Sequence, residues 1–175
     1  MTRWAVVVGS ASDGKNAVAE AIVRACGESG LRVAGVIEEA VCADDVVVGY
    51  DAVDLGSSER IALARLADVP DVCRFRFDDR AFVECRRRAE ATEADVVLWE
   101  AARLEAAGTG HWPAIASALE SGAALVVLCV RARSLAAIAL RLPDPAASLE
   151  LPATEGAVAA FARELVTLAR DVAVP

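Results

Sequence analysis

The sequence predicts a three-layer α/β fold with a mostly parallel sheet and a β-hairpin insertion, in a single domain over residues 1–175. Three observations predict it. Strand-like and helix-like patterns alternate from end to end. The strand segments are unbroken runs of small apolar residues, as parallel strands buried on both faces require. The chain is 56% hydrophobic but only 5% aromatic, so its core is built from Ala, Val and Leu.

Residues 4–8 form the first buried strand. Residues 14–28 carry Val18, Ala21, Ile22 and Ala25 at helical spacing, and Gly27 and Gly30 bracket the helix end. A second strand follows at 32–37. Residues 46–55 alternate, are punctuated by glycine, and lead through Gly56-Ser57-Ser58 to 60–64, which reads as an antiparallel hairpin. Residues 70–80 connect onward, with a short strand at 73–77. Asp78 or Asp79 caps a helix over 80–92. Residues 95–99 are the next buried strand, followed by a loop rich in Ala and Gly. Pro113 opens a helix to residue 121 and Gly122 ends it. Residues 124–130 are the most apolar strand. A short helix at 134–140, a last strand at 149–151 and an amphipathic helix at 154–172, capped by Thr154, complete the chain.

Net charge is −8, which argues against general attraction to nucleic acid or an anionic membrane surface. No apolar run approaches the roughly 18 residues of a membrane span. The N-terminus enters a strand directly, so a cytoplasmic protein is expected. Arg86, Arg87 and Arg88, and the pair Arg131 and Arg133, read as solvated faces. The five cysteines are scattered, with no C-x-x-C, and read as structural thiols.

Residues 9–16 carry the chemistry: Gly9, Ser10, Ala11, Ser12, Asp13, Gly14, Lys15 and Asn16. This is the G-x-x-x-x-G-K spacing, placed after the first strand and opening the first helix. Its backbone N–H groups and helix N-terminus suit phosphate oxygens, and Lys15 adds a point charge. Asn16 stands where Ser or Thr holds magnesium, so an amide oxygen is the metal candidate. Asp13 sets a carboxylate beside the phosphate site. The expected ligand is ATP or GTP with magnesium, or a phosphate-like oxyanion.

The second candidate segment closes the strand at 95–99. Phosphate-loop enzymes carry a magnesium aspartate there. Trp99 occupies that position, and Glu100 is the first carboxylate, suited to orienting water. Glu105 is a second catalytic candidate, and Arg103 is expected to line the same cleft and touch the nucleotide. His111, the lone histidine, reads as a surface or stacking residue beside Trp112. Trp99 is expected to lie nearest the phosphates.

The order of these motifs resembles the nucleoside-triphosphatase family described from thermophiles. Gly35-Val36-Ile37-Glu38-Glu39 and Val48-Gly49-Tyr50-Asp51-Ala52-Val53-Asp54-Leu55 match its strand and hairpin patterns. Residues 99–105 match its acidic motif D-E-I-G-K-M-E at Glu100 and Glu105, and conservatively at Arg103 and Leu104. The aspartate and the glycine are replaced. The chain is also similar to a degenerate family linked to molybdate-transport operons, through residues 103–110 and through Asp54-Leu55-Gly56-Ser57-Ser58-Glu59-Arg60-Ile61. The resemblance spans roughly residues 4–130. It implies a P-loop NTPase-like fold and a nucleotide-binding protein with slow NTP hydrolysis at best. The alternative is a non-catalytic accessory or regulatory protein, in molybdate or other metal-oxyanion metabolism. A small-molecule kinase is a third reading, kept by Arg131 and Arg133.

Overall fold

The computed structural model describes residues 2–10, 12–120 and 122–171. Its sheet begins with β1 (Arg3–Gly9), whose run Trp4–Gly9 is buried on both faces. The chain then forms α1 (Lys15–Glu28), β2 (Val33–Ala43), β3 (Val46–Asp54), β4 (Arg60–Leu66), β5 (Phe75–Phe77) and α2 (Asp79–Ala91). The second half contributes β6 (Val96–Ala101), α3 (Arg103–Ala106), α4 (Trp112–Glu120), β7 (Leu125–Arg131), a 3₁₀ turn at Ala132–Ser134, α5 (Leu135–Ala139), β8 (Ala147–Glu150) and α6 (Glu155–Arg170).

Eight strands make one sheet in the order β5-β4-β3-β2-β6-β7-β1-β8. From β2 to β8 every neighbouring pair is parallel, and β3, β4 and β5 extend it antiparallel. Helices α1 and α6 cover one face over Val7, Leu98 and Val127. Helices α2 and α4 cover the other, over Trp4, Trp99 and Leu128. The three layers and the hairpin extension are therefore as the sequence pattern implies.

Several boundaries moved, each for a physical reason. The second strand continues past residue 37 to Ala43, because its polar half leaves the parallel core and pairs with β3. Gly27 sits inside α1, and Gly30, with φ 76°, is the residue that turns the chain out of it. The segment after β6 forms the four-residue helix α3, too short to show a period. The N-terminal cap of α2 is Asp78, which accepts from the Arg80 N–H, and Thr154 caps α6 through the Ala157 N–H. The expected helix ends at residues 121 and 172 lie outside the described residues.

Burial sorts the thiols. Cys26, Cys85 and Cys129 are buried, and Cys42 and Cys73 are exposed. Burial pushes the Cys26 and Cys85 thiols up to about 11 and about 12, and Cys129 higher still. Neutral iodoacetamide is expected to alkylate Cys42 and Cys73 in the native protein, and all five cysteines only after denaturation. Peptide-resolved mass spectrometry reads this directly, and rapid native labelling of Cys129 would contradict the packing.

Candidate functional site

The turn between β1 and α1 is built on Gly14, whose φ of 79° and ψ of 29° are left-handed. A Cβ there would meet nothing within 4 Å, so the glycine answers a backbone demand rather than a lack of space. No side chain caps α1, which leaves its first-turn N–H groups facing the loop. Lys15 begins the helix, is only 6% exposed, and donates from Nζ to the Ser10 carbonyl at 2.5 Å. Asp13 folds back onto the same residue, accepting from the Ser10 N–H at 2.6 Å and its hydroxyl at 2.5 Å. The Ser10 hydroxyl and then its N–H hold the Asp13 carboxyl below its usual range. Gly9 packs against Leu151, where a Cβ would come within 3.1 Å. Ala11 lies outside the described residues.

The loop opens on a cleft of about 370 Å³. Ser12, Gly14, Lys15 and Asn16 line it on one side. Glu38 and Tyr50 come from β2 and β3, and Glu100 and Arg131 from the ends of β6 and β7. This is the carboxyl end of the parallel strands, where open α/β sheets bind ligands. Asp95 lies at the opposite end, accepting from the Arg32 N–H at 2.7 Å. Asn16 donates from Nδ2 to the Glu38 carbonyl at 2.9 Å, which leaves its Oδ1 as the oxygen it can offer. Glu100 accepts from the Glu38 N–H at 2.7 Å.

Strand parity corrects one expectation. Side chains of β6 alternate, with Val96 and Leu98 under α1 and α6, and Val97, Trp99 and Ala101 under α2 and α4. Trp99 is 1% exposed on the face away from the loop. Its indole therefore points away from the phosphate site, and a carboxylate at position 99 would not face it. Glu100 does. Trp4 joins the same distant cluster and Trp112 packs against it.

The cleft concentrates carboxylates. Burial, and then the negative field of Glu100 and Glu105, push the Glu38 carboxyl well up, against Arg131 and Lys15. Burial pushes Glu100 up to about 6, opposed chiefly by the Glu38 N–H and by Lys15. His111, expected at the surface or in a stack beside Trp112, is instead buried at 1% exposure, meeting Phe82 edge to face at 4.8 Å and Trp99 at a tilt of 40°. Burial pushes it down to about 3, so it stays neutral. Its Nε2 lies 3.8 Å from Glu38 Oε1 and adds no positive charge there.

These shifts fix a pH dependence. An unfolded chain ionises its glutamates near pH 4.5, while the folded chain ionises Glu100 near 6 and Glu38 well above its ordinary value. Between those limits these two carboxyls bind more protons in the folded state, so their contribution to stability falls as pH rises, while neutral His111 acts in the opposite sense below its ordinary 6.5. Glu38→Gln is expected to flatten that slope and to raise Tm at pH 8 by about 3 °C or more. Melting curves at pH 5 and pH 8 test it, and an equal effect of the substitution at both would contradict it.

The loop, Asn16 and Glu100 are thus brought together, but Arg103 and Glu105 are not part of this cleft. Both line a neighbouring cavity with Tyr50, Phe75 and Arg133. Glu105 is 3% exposed and accepts from the N–H groups of Ala102 and His111, both at 2.8 Å. Gly110 allows this, since a Cβ there would lie 2.3 Å from Glu105 Oε1. Glu38, Tyr50 and Arg131 line the cleft without having been singled out for it. Arg131 carried a signal in its place at the carboxyl end of an apolar strand. Arg86, Arg87 and Arg88 behave as a solvated face, paired with Glu90, Glu84 and Glu59.

Among the described residues, no helix is long and apolar enough to cross a membrane. None of them form a cluster of three or more His, Cys, Asp or Glu suited to a metal ion. The sheet order and the glycine-lysine loop at its carboxyl end define a phosphate-loop α/β architecture. The chain belongs to the family described as protein of unknown function DUF2478, which matches residues 4–150. The solution structure of a human cancer-related nucleoside triphosphatase is similar at TM-score 0.65 and 16% identity, over 97% of this chain and 98% of that one. The crystal structure of THEP1 from the hyperthermophile Aquifex aeolicus is similar at TM-score 0.65 and 15% identity, over 94% of this chain and 98% of that one. At those identities the likeness establishes the fold. No curated protein matches the chain.

Proposed function

We propose that the cleft binds a nucleoside triphosphate, ATP or GTP with magnesium, and hydrolyses it slowly. The observation that carries this reading is the convergence of Lys15, the uncapped start of α1 and Glu100 on one cleft. On binding, Lys15 would exchange the Ser10 carbonyl for the outer phosphate oxygens. The α1 N–H groups would take the others. Arg131 would face negative charge on the terminal phosphate.

The residues fit a divalent cation. Glu38 and Glu100 bring two carboxyl groups to the cleft beside the loop, and a bound cation would favour their ionised forms. Magnesium keeps several waters and takes phosphate oxygens, so one amide or carboxylate from the chain suffices. Asn16 Oδ1 would hold it, and the ion would supply neutralisation of the phosphate charge. Glu100 would take the proton of the attacking water as the water oxygen bonds to the terminal phosphorus and the diphosphate leaves. Glu105, held by two backbone donors, would act as a positioning residue for the segment after β6. Turnover is expected to be slow because Asn16 and Glu100 are both tied to the Glu38 backbone.

Glu100→Gln is expected to lower phosphate release about 100-fold or more while nucleotide still binds. The wild-type rate should rise with pH through about 6, as Glu100 ionises, and then level. An unchanged rate in the variant would remove Glu100 from the mechanism. One observation favours a second reading, a binding protein without turnover. The Asp13 carboxylate already occupies the Ser10 donors, as a bound oxyanion would. Saturable binding with no phosphate release at any pH would select it.

A further inference from the structure

Beside the nucleotide cleft lies a second cavity of about 120 Å³, and the two share Glu38, Tyr50 and Arg131. We propose that this cavity is a separate subsite for a small aromatic carboxylate. The proposal rests on the nucleotide reading only in placing that ligand beside the outer phosphate.

Its walls come from distant parts of the chain and differ in chemistry. The antiparallel extension supplies Tyr50, Phe75 and Phe77. Tyr50 and Phe75 meet edge to face at 5.2 Å, and Phe77 stacks on Phe82 at 6.0 Å, so the rings are fixed before any ligand arrives. Arg103, Arg131 and Arg133 line the same cavity. Among the described residues none of these three guanidiniums has a hydrogen bond or an ion pair, whereas Arg65, Arg87 and Arg88 are all engaged by carboxylates.

The two carboxyls on the wall do not cancel that charge. Glu105 turns its oxygens to the Ala102 and His111 N–H groups and forms no ion pair with a guanidinium among the described residues. Three guanidiniums outnumber the two carboxyls even with Glu38 and Glu105 both ionised. The cavity is therefore cationic inside a chain of net charge −8. Guanidinium forks match a carboxylate, and aromatic walls match a ring. The volume suits one ring with its acid group, and a nucleoside would overfill it.

Cys73 reports on occupancy, because it lines this cavity and is exposed, while Cys42 is exposed and lies outside it. The experiment alkylates the full chain with neutral iodoacetamide and follows both thiols by peptide-resolved mass spectrometry, with benzoate as the probe. Benzoate at several times its Kd is expected to slow Cys73 about fivefold, since shielding follows ligand over Kd, and to leave Cys42 unchanged. Benzyl alcohol, of similar shape and without charge, should not protect. Arg133→Ala, checked for an unchanged melting curve, should lose the protection.

An unchanged Cys73 rate in benzoate would overturn the proposal, as would equal protection by benzyl alcohol or in Arg133→Ala. Mg-ATP separates it from the nucleotide reading. If Mg-ATP displaces benzoate, the cavity holds part of the nucleotide and the separate subsite is wrong. If benzoate protects and Mg-ATP does not bind at all, the nucleotide reading fails and the subsite stands.

Discussion

Lys15→Ala is expected to weaken triphosphate binding by roughly 30- to 150-fold, the worth of a charge-assisted hydrogen bond of about 2–3 kcal/mol. Lys15 is nearly buried at the start of α1, and its side chain donates to the Ser10 carbonyl of the same loop. Removing it should therefore spare the fold and act on the ligand. A second consequence separates this from a local collapse of the loop. The Lys15 charge helps hold down the Glu38 and Glu100 carboxyls, so both should ionise at higher pH in the variant. Arginine should not rescue binding, because its broad planar fork does not replace a compact ammonium in so closed a position. Equal affinity of the alanine variant and the wild type would end the phosphate-loop reading.

Gly35→Ala should be among the most destabilising single-methyl additions in the chain. Gly35 pairs with Leu98 between the parallel strands β2 and β6, with φ at 108°. An added Cβ would lie 1.9 Å from the Leu98 carbonyl oxygen and 2.8 Å from its carbon. Both are backbone atoms of a central strand, so nothing there can swing aside. Overpacking and a strained backbone together suggest a loss of about 3–5 kcal/mol, a large part of a typical domain's stability. Gly27→Ala is the control. It lies within α1, a Cβ there meets nothing within 4 Å, and it should stabilise by up to ~1 kcal/mol. Urea midpoints of the two variants should move in opposite directions.

The layers and the loop were legible because both depend on local pattern. Apolar runs in β1, β6 and β7 mark the parallel core, and Gly14-Lys15 at a strand–helix junction marks the turn. What stayed hidden depends on register and parity. Glu38 meets Glu100, 62 residues away, only because β2 pairs with β6 so that Val36 faces Trp99. Motif alignment put position 99 at the loop, but the pleat turns its side chain to the opposite face. His111 gave no sign of burial because it sits in a short polar segment, carried inward by α4 and by the Glu105 carboxylate on its N–H. Arg131 and Arg133 have the spacing of a surface pair, but the end of the buried strand β7 turns Arg131 into the cleft.

Isothermal titration of the wild-type protein with Mg-ATP and Mg-GTP at pH 7 tests the central claim most directly. The account predicts saturable one-site binding of at least one of them, suppressed when inorganic triphosphate already fills the loop. No heat of binding with either nucleotide, with the protein folded throughout, would contradict it.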